Sequence, residues 1–319
     1  MVFKRLLGAL GVGGPAVDTV LDPGPVLPGG TLSGRVHLRG GGSDVEVEHL
    51  GLELIARVEA EYDEGESTGT VAFERFTVGG GFRLAAEEER SVPFQVAVPW
   101  ETPVTELHGR QLGVVLGVRT ELAVAGARDK GDLDPLAVRP LPVQEAVLDA
   151  FGRLGFGFRS ADLELGRIGG TGQRLPFYQE IELIPPAQYA HAVHEIELTF
   201  LATPEAVEVV LEADRRGGPF TAGHDALSRF TVRHEDVSTV DWAAEVDGWV
   251  RRLAEHREAY ATEAAYLSDA YHSPGSGAGT ALAAGAAGLA AGVVGGLVAA
   301  EVVDEIGDFF EGEDEGGDD

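Results

Sequence analysis

Ser67 lies in the segment GESTG (65–69), which matches the G-x-S-x-G motif of hydrolases. In that motif the serine sits on a strained turn, with a buried strand before it and a helix after it. Here the surrounding text is EYDEGESTGT, a polar stretch between two segments of alternating apolar residues. We therefore predict the tip of a β-hairpin at Ser67 and no nucleophile.

The segment HAVHE (191–195) contains two histidines and a glutamate, which are residue types that bind metals. Zinc proteases place two histidines four residues apart on one face of a helix. His191 and His194 are three apart and enter a strand-like segment, where such positions point to opposite faces. A site would require His191 to lie in the preceding turn. A hydrolase or metal-dependent enzyme stays an alternative, but we assign no catalytic, metal-binding or cofactor-binding residue and expect no cofactor.

Composition narrows the functional classes further. The 319 residues include 53 acids, 24 bases and no cysteine, which gives a net charge of −29. Such a surface repels the phosphates of nucleic acid, so no nucleic-acid partner is expected. The absence of cysteine excludes disulfides and thiolate sites and fits the cytoplasm. Acid-rich text such as DKGDLDP (129–135) lacks the spacing of a calcium loop, and we predict solvated loops there.

The first part of the chain is typical of a β-sandwich. GTLSGRVHLRG (30–40) alternates apolar and polar residues, and VEVEHLGLELIARVEA (45–60) does so with one slip near Leu50 that predicts a bulge. We predict an N-terminal sandwich over 1–142. It would begin with a short amphipathic helix that carries Phe3, Leu6, Leu7 and Leu10.

The second part repeats this organisation after a short helix. VQEAVLDAFGRLGF (143–156) places Val147, Phe151 and Leu154 on one helical face. Strand patterns then resume and predict a second sandwich over 143–237. Residues 238–272 predict an amphipathic helix packed on it, with Ser238 and Asp241 as a capping pair. Its apolar stripe comprises Trp242, Val246, Trp249, Leu253, Tyr260, Ala264, Leu267 and Tyr271.

Two series of segments resemble those of a known family in type and in order. They are VDTVL, LPGGTLSGRVHLRGG, VEHLGLELIARVEAEY and VPFQVAVPWETPVT, and then LPFYQEIELIPP, HEIELTFLAT, FTVRHEDV and VDWAAEVDGWV. Over roughly residues 1 to 255 this text is similar to the SpoOM sporulation-control family, which belongs to the arrestin-like group. The fold expected is mainly β, with two tandem antiparallel β-sandwiches, a C-terminal helix and a Gly/Ala-rich acidic tail.

The resemblance implies a regulator of sporulation, with links to cell division and cell shape. Arrestin-like proteins act as adaptors that present sheet edges and inter-domain grooves to protein partners. The resemblance supplies no enzyme mechanism and no site motif, so a non-enzymatic adaptor is the leading hypothesis. A self-assembling structural or stress protein is a further alternative.

The tail, residues 273–319, contains a Gly/Ala-rich run over 278–300 that carries no formal charge. As a helix the run would be about 34 Å long and would place Gly288, Gly292 and Gly296 in one smooth groove. Three interpretations stay open: a loose chain in water, peripheral or tail-mediated association with a membrane, or helix packing in a homo-oligomer.

The last segment has a different pattern. Val302, Ile306 and Phe309 follow helical spacing, with Phe310 beside them, among ten acids and no base after Ala300. An apolar stripe among acids is typical of a segment that docks in a groove with a basic rim. We predict partner docking at these four residues, with a solubilising tail as the alternative.

Overall fold

Strands make up most of the described chain, which comprises residues 14–62, 65–125, 130–213 and 227–255 of a computed structural model. The fold is mainly β and contains several sheets and a C-terminal helix, as predicted. Two parts follow one another along the chain. We call residues 14–135 the first half and residues 142–255 the second half.

Two sheets enclose the core of the first half. Its strands are β1 (Ala16–Leu21), β2 (Thr31–Arg39), β3 (Val45–Tyr62), β4 (Gly65–Gly79), β5 (Phe82–Leu84), β6 (Glu89–Ala97), β7 (Glu106–Leu107), β8 (Arg110–Gln111), β9 (Leu116–Val124) and β10 (Lys130–Pro135). One sheet has the order β1-β2-β6, and in the other β3 pairs with β4, β5 and β9, and β9 with β10. A separate hairpin joins β7 to β8.

The alternation in the sequence is realised in these strands. In β2 the inward positions Leu32, Gly34, Val36 and Leu38 are all buried and their neighbours are not. The register of β3 against β4 shifts between Leu50 and Gly51, which confirms the predicted bulge. The inward side chains of both sheets belong to one apolar core.

The second half contains one antiparallel sheet. After helix α1 (Pro142–Arg153) come β11 (Gly157–Leu165), β12 (Phe177–Ile184), β13 (Ile196–Ala202), β14 (Ala206–Ala213) and β15 (Leu227–Arg233), paired in that order. A 3-10 helix (His234–Ser238) and helix α2, described over 242–255, follow.

Helix α1 ends in a motif that fixes the direction of the chain after it. Gly155 has a φ of 93°, a left-handed conformation that favours glycine. The N–H of Gly155 donates to Gly152 O, and that of Phe156 donates to Phe151 O, both at 3.0 Å. These bonds form a Schellman motif, and the Phe151 and Phe156 rings make its usual apolar contact at 5.1 Å.

Helix α2 starts later than the sequence predicts. Its first turn is capped by Asp241, whose Oδ1 accepts the N–H of Ala244 at 3.3 Å. Ser238 belongs to the 3-10 helix before it, so the predicted pairing of Ser238 with Asp241 is wrong. The predicted stripe is buried at Trp242, Val246, Trp249 and Leu253.

The sheets of the two halves are continuous. Glu59 near the end of β3 pairs in parallel with Glu164 of β11. Phe73 of β4 also contacts Phe177 of β12, with ring centroids 5.5 Å apart. The far end of the β3–β4 hairpin therefore reaches the second half.

Several predictions fall outside the described residues. These are the N-terminal helix with Phe3, Leu6, Leu7 and Leu10, the later stripe residues Tyr260, Ala264, Leu267 and Tyr271, the helix-packing residues Gly288, Gly292 and Gly296, and the docking residues Val302, Ile306, Phe309 and Phe310. Within the described ranges, no helix has the length and apolar character needed to cross a membrane. The domain boundaries predicted from the sequence remain predictions.

Candidate functional site

A concave apolar groove lies where the two halves meet, and we call it the junction groove. It encloses about 440 Å³. Its walls are α1, the β7–β8 hairpin with the segment after it, and the start of the β11–β12 pair. The lining residues are Leu107, Leu112, Leu148, Asp149, Phe151, Gly152, Arg153, Phe156, Phe158, Ile181 and Leu183.

The end of α1 places two aromatic residues in this groove. The Schellman motif turns the chain so that Phe156 packs beneath the helix, and Phe158 follows on β11. Phe156 also stacks on Tyr189 at 5.4 Å, and the Tyr189 hydroxyl donates to Asp247 of α2. Phe158 is 49% exposed, which makes it one of five large apolar side chains open to water in the described part of the chain.

The β7–β8 hairpin is fixed to α1 by His108. His108 and Gly109 have φ values of 51° and 75°, as in the tight turns that join short hairpins. The His108 ring lies 3.2 Å from Glu145 through Nδ1 and 2.8 Å from Asp149 through Nε2. The hydrogen bond to Asp149 raises the pKa of His108, and the nearby carboxylate charges add to this effect. The His108 ring therefore ties this wall of the groove to the helix through both of its nitrogens.

The rim of the groove carries charges of both signs, because Asp149 and Arg153 both line it and both are exposed. Arg153 lines the groove in the last turn of α1, and Arg110 lies on the hairpin wall, both exposed. Neither has a carboxylate within 4.0 Å among the described residues, whereas Glu145 and Asp149 already contact His108. Arg153 is thus a basic residue of the lining without a carboxylate partner among the described residues, in a chain of net charge −29.

A second cluster of polar side chains lies on the β11–β15 sheet. Glu182, Glu197 and Glu212 are direct cross-strand neighbours on one face. Beside them the carboxylate oxygens of Asp162, Glu164 and Glu180 lie within 4.8 Å of one another. Oxygen ligands of this kind suit calcium or magnesium.

The environment of Glu180 favours the neutral form of its carboxyl group. Burial raises the pKa of Glu180 to about 9, with further contributions from the charges of Glu197, Asp162, Glu164 and Glu212. The side chain is therefore protonated at neutral pH, and a cation would first have to displace that proton.

Asp132 and Asp134 of DKGDLDP are not solvated loop residues as predicted, and Asp129 lies outside the described residues. Asp132 and Asp134 belong to β10, where the N–H of Thr19 donates to Asp132 at 2.6 Å. Burial and the charges of Asp132 and Asp18 raise the pKa of Asp134 to about 7. The spacing of Asp132 and Asp134 by two residues is the strand signal that the sequence reading missed.

Ser67, His191 and His194, the residues that the sequence suggested for chemistry, lie apart from the junction groove and from the carboxylate cluster. Ser67 is exposed and pairs with Ala60 as part of β4, so the hairpin prediction is right but Ser67 lies within a strand. His191 and His194 are exposed in the turn before β13. They do not belong to the group of metal-ligating side chains found in the described part of the chain.

Comparison with known proteins identifies relatives of the larger part of the chain. The family model described as SpoOM protein matches residues 3–217. The sporulation-control protein spo0M of Bacillus subtilis (strain 168) is 34% identical over 215 residues, which cover 67% of this chain and 81% of that protein. The crystal structure of Spo0M from Bacillus subtilis superposes with a TM-score of 0.67 at 28% identity, covering 77% of this chain and 100% of that one.

Proposed function

Since the chain belongs to the SpoOM protein family, we propose that it is a non-enzymatic adaptor of the sporulation-control type that binds a protein partner through the junction groove. The observation that carries this proposal is the groove itself, a preformed apolar cleft with an exposed phenylalanine at its edge. The proposed setting is the cytoplasm, with the tail providing any attachment to a membrane or to a second copy.

The physical character of the groove supports partner binding. Its volume falls within the range of roughly 300–1,000 Å³ that is typical of ligand sites. Apolar side chains form most of the lining, and its two charged residues, Asp149 and Arg153, are exposed. Covering Phe158 and its neighbours would remove apolar surface from water, which favours association. Its position at the meeting of two halves is a preferred location for binding sites.

The shape of the groove is also held firmly, which lowers the cost of binding. His108 fixes the hairpin to α1, and the Phe156–Tyr189–Asp247 contacts fix the opposite end to α2. A site that needs little ordering loses less entropy when a partner arrives. The three walls therefore form a rigid receptor surface.

A single substitution fills this groove without disturbing the core. A Cβ atom added at Gly152 would meet no atom within 4 Å, and Gly152 lines the groove. Gly152→Phe should therefore occupy the cleft while the protein stays folded. Gly169→Phe is the matched control, because Gly169 is also in open space but lies in the loop after β11.

The test is proximity labelling in producing cells with the wild type and both variants at equal abundance. We expect a set of neighbouring proteins to lose at least about tenfold in labelling with Gly152→Phe and to be retained with Gly169→Phe. Equal labelling in all three would refute partner binding through the groove.

A further inference from the structure

Side chains, and not a strand ladder, hold the first strand of the protein to the facing sheet. Among the described strands, β1 pairs with β2 alone and forms the edge of its sheet. On its other side β1 lies beside β10, which is an edge of the facing sheet. We call this side of the first half the β1–β10 seam, and it consists of Ala16–Leu21 and Lys130–Pro135.

Two hydrogen bonds at Thr19 join β1 to the facing sheet. The main-chain N–H of Thr19 donates to Oδ2 of Asp132 at 2.6 Å. The hydroxyl of Thr19 lies 2.6 Å from that of Thr120 on β9, and both threonines are buried. Burial raises the pKa of Asp132, and the N–H of Thr19 opposes this effect by stabilising the carboxylate. The attachment of β1 therefore depends on the charge and position of side chains on β10.

Asp134 brings a second carboxyl group to the seam and has no partner for one of its oxygens. It follows Asp132 by two residues, so both side chains lie on one face of β10, beside the buried residues Val118 and Thr120 of β9. Oδ2 of Asp134 is buried and has no hydrogen-bond partner among the described residues. A negative charge there would be uncompensated, whereas a bound proton makes the group neutral. The geometry therefore favours the neutral acid.

The charges around Asp134 act in the same direction. Burial, together with the charges of Asp132 and Asp18, raises the pKa of Asp134 to about 7. The two residues of β9 that pair with Asp132 and Asp134 carry no charge. Lys130 shares this face of β10 but lies about 13 Å along the strand from Asp134, and His37 of β2 stands opposite Asp18. Ionisation of Asp134 therefore adds a charge to a seam that already contains two acids.

We propose that the β1–β10 seam is a pH-sensitive switch, which holds β1 in place while Asp134 is neutral and loosens it when Asp134 becomes charged. The new charge is repelled by Asp132, and both groups regain hydration if the two strands separate. Beyond the seam the N–H of Val26 donates to Ala137 O at 2.9 Å, so the loosening is confined to β1. This inference concerns the first half and does not depend on binding at the junction groove.

The direction of the pH dependence follows from the two states of the carboxyl group. In the open seam Asp134 meets water and has its ordinary pKa of 3.8, whereas in the closed seam its pKa is about 7. Between these values the closed seam holds a proton that the open seam releases, so opening becomes more favourable as pH rises. The ratio of open to closed molecules should rise about tenfold between about pH 6 and 8 and then level off.

The experiment measures the opening of β1 with a single introduced thiol, because the chain contains no cysteine. Val17→Cys places the thiol on β1. Val92→Cys is the matched control on β6, the opposite edge of the same sheet, and both valines are partly buried against the core. At each pH the modification rate of the full-length variant is divided by that of an unstructured peptide with the same local sequence, since only the thiolate reacts.

We expect this ratio to rise about tenfold from about pH 6 to 8 in Val17→Cys and to stay constant in Val92→Cys. Adding Asp134→Asn, which cannot ionise, should abolish the rise. Adding Asp22→Asn, at an exposed acid just after β1, should leave it unchanged. A constant ratio in Val17→Cys, an equal rise in Val92→Cys, or a rise that persists with Asp134→Asn would each overturn the switch.

A measurement on the wild type keeps the proposal testable if Asp134→Asn does not fold. The ¹³C chemical shift of the Asp134 carboxyl group, followed by NMR across the same range of pH, reports its protonation directly. We expect a midpoint at about pH 7. A midpoint at about pH 4, the ordinary value for an aspartate, would refute the switch.

Discussion

The two faces of the β11–β15 sheet differ sharply although the same strands build both. On one face Ile181, Leu198 and Leu211 are cross-strand neighbours and are buried. One residue along each strand, the other face carries Glu182, Glu197 and Glu212 in a row. Because side chains alternate between faces with a period of two, the sheet has a packing face and an acidic face. The two faces contribute to stability in different ways.

The packing face draws its stability from apolar burial. Phe230 of β15 stacks on Trp249 of α2 at 4.7 Å, and Trp249 is 1% exposed. The acidic face places like charges opposite one another, which is unfavourable across strands. Solution pH should therefore act on the sheet mainly through the acidic face, whereas truncation of side chains should act mainly through the packing face.

Removal of Trp249 tests the packing face and has the largest expected effect. Trp249→Ala should lower the free energy of unfolding by about 3–5 kcal/mol, because it leaves a cavity beneath α2. Urea denaturation measures this loss. Phe158→Ala is the control, and it should cost less than about 1 kcal/mol since that ring is half exposed. Equal losses in the two variants would mean that α2 contributes no more than a surface contact.

Neutralisation of Glu180 tests the acidic face. Its folded pKa of about 9 lies above its ordinary value of 4.5, so between these values the folded state holds a proton that the unfolded state releases. Stability therefore falls as pH rises through this window. Glu180→Gln should remove that loss and stabilise the protein by about 3 kcal/mol at pH 7, with little effect near pH 4.5.

The measurement for Glu180 is urea denaturation across that range of pH. Glu205→Gln, at an exposed carboxyl, should follow the wild-type curve at every pH. If Glu180→Gln also runs parallel to the wild type, the carboxyl titrates normally and the contrast between the two faces disappears.

The smallest expected change in stability is that of a substitution at Arg229, at the edge of the acidic face. Its side chain forms an ion pair with Glu208 and donates to Gly170 O at 2.7 Å. Arg229→Gln should cost about 1 kcal/mol, and the cost should shrink as salt is raised. Arg233→Gln, whose side chain is 65% exposed, should have an effect close to zero. Thermal unfolding at low and high salt distinguishes the two. A cost for Arg229→Gln that is independent of salt would assign its role to the Gly170 contact.

The fold could be predicted because its signals are local. Alternation identified β2 and β3, and the slip near Leu50 identified the bulge. The stripe of Trp242, Val246 and Trp249 identified the buried face of α2. In each case the spacing of residues within one element was sufficient to predict the structure of that element.

The groove and the acidic row could not be predicted, because they depend on contacts between distant elements. Leu107 and Leu183 line one groove although 75 positions of chain separate them, roughly the length of a small domain. The acids of QEIEL (179–183) and HEIEL (194–198) are visible in the sequence, but only strand register places Glu182 opposite Glu197. Burial of Glu180, and hence its raised pKa, depends on that same pairing.

The single bridge between β3 and β11 has a consequence for the order of events during synthesis. Glu59 leaves the ribosome about a hundred residues before Glu164, its eventual neighbour. At roughly 5–20 residues per second, this side of the nascent hairpin waits about 5–20 seconds for that neighbour. Until then, the side of β3 that will face β11 has no strand beside it. The charge of Glu59 on that side disfavours pairing with strands of other chains.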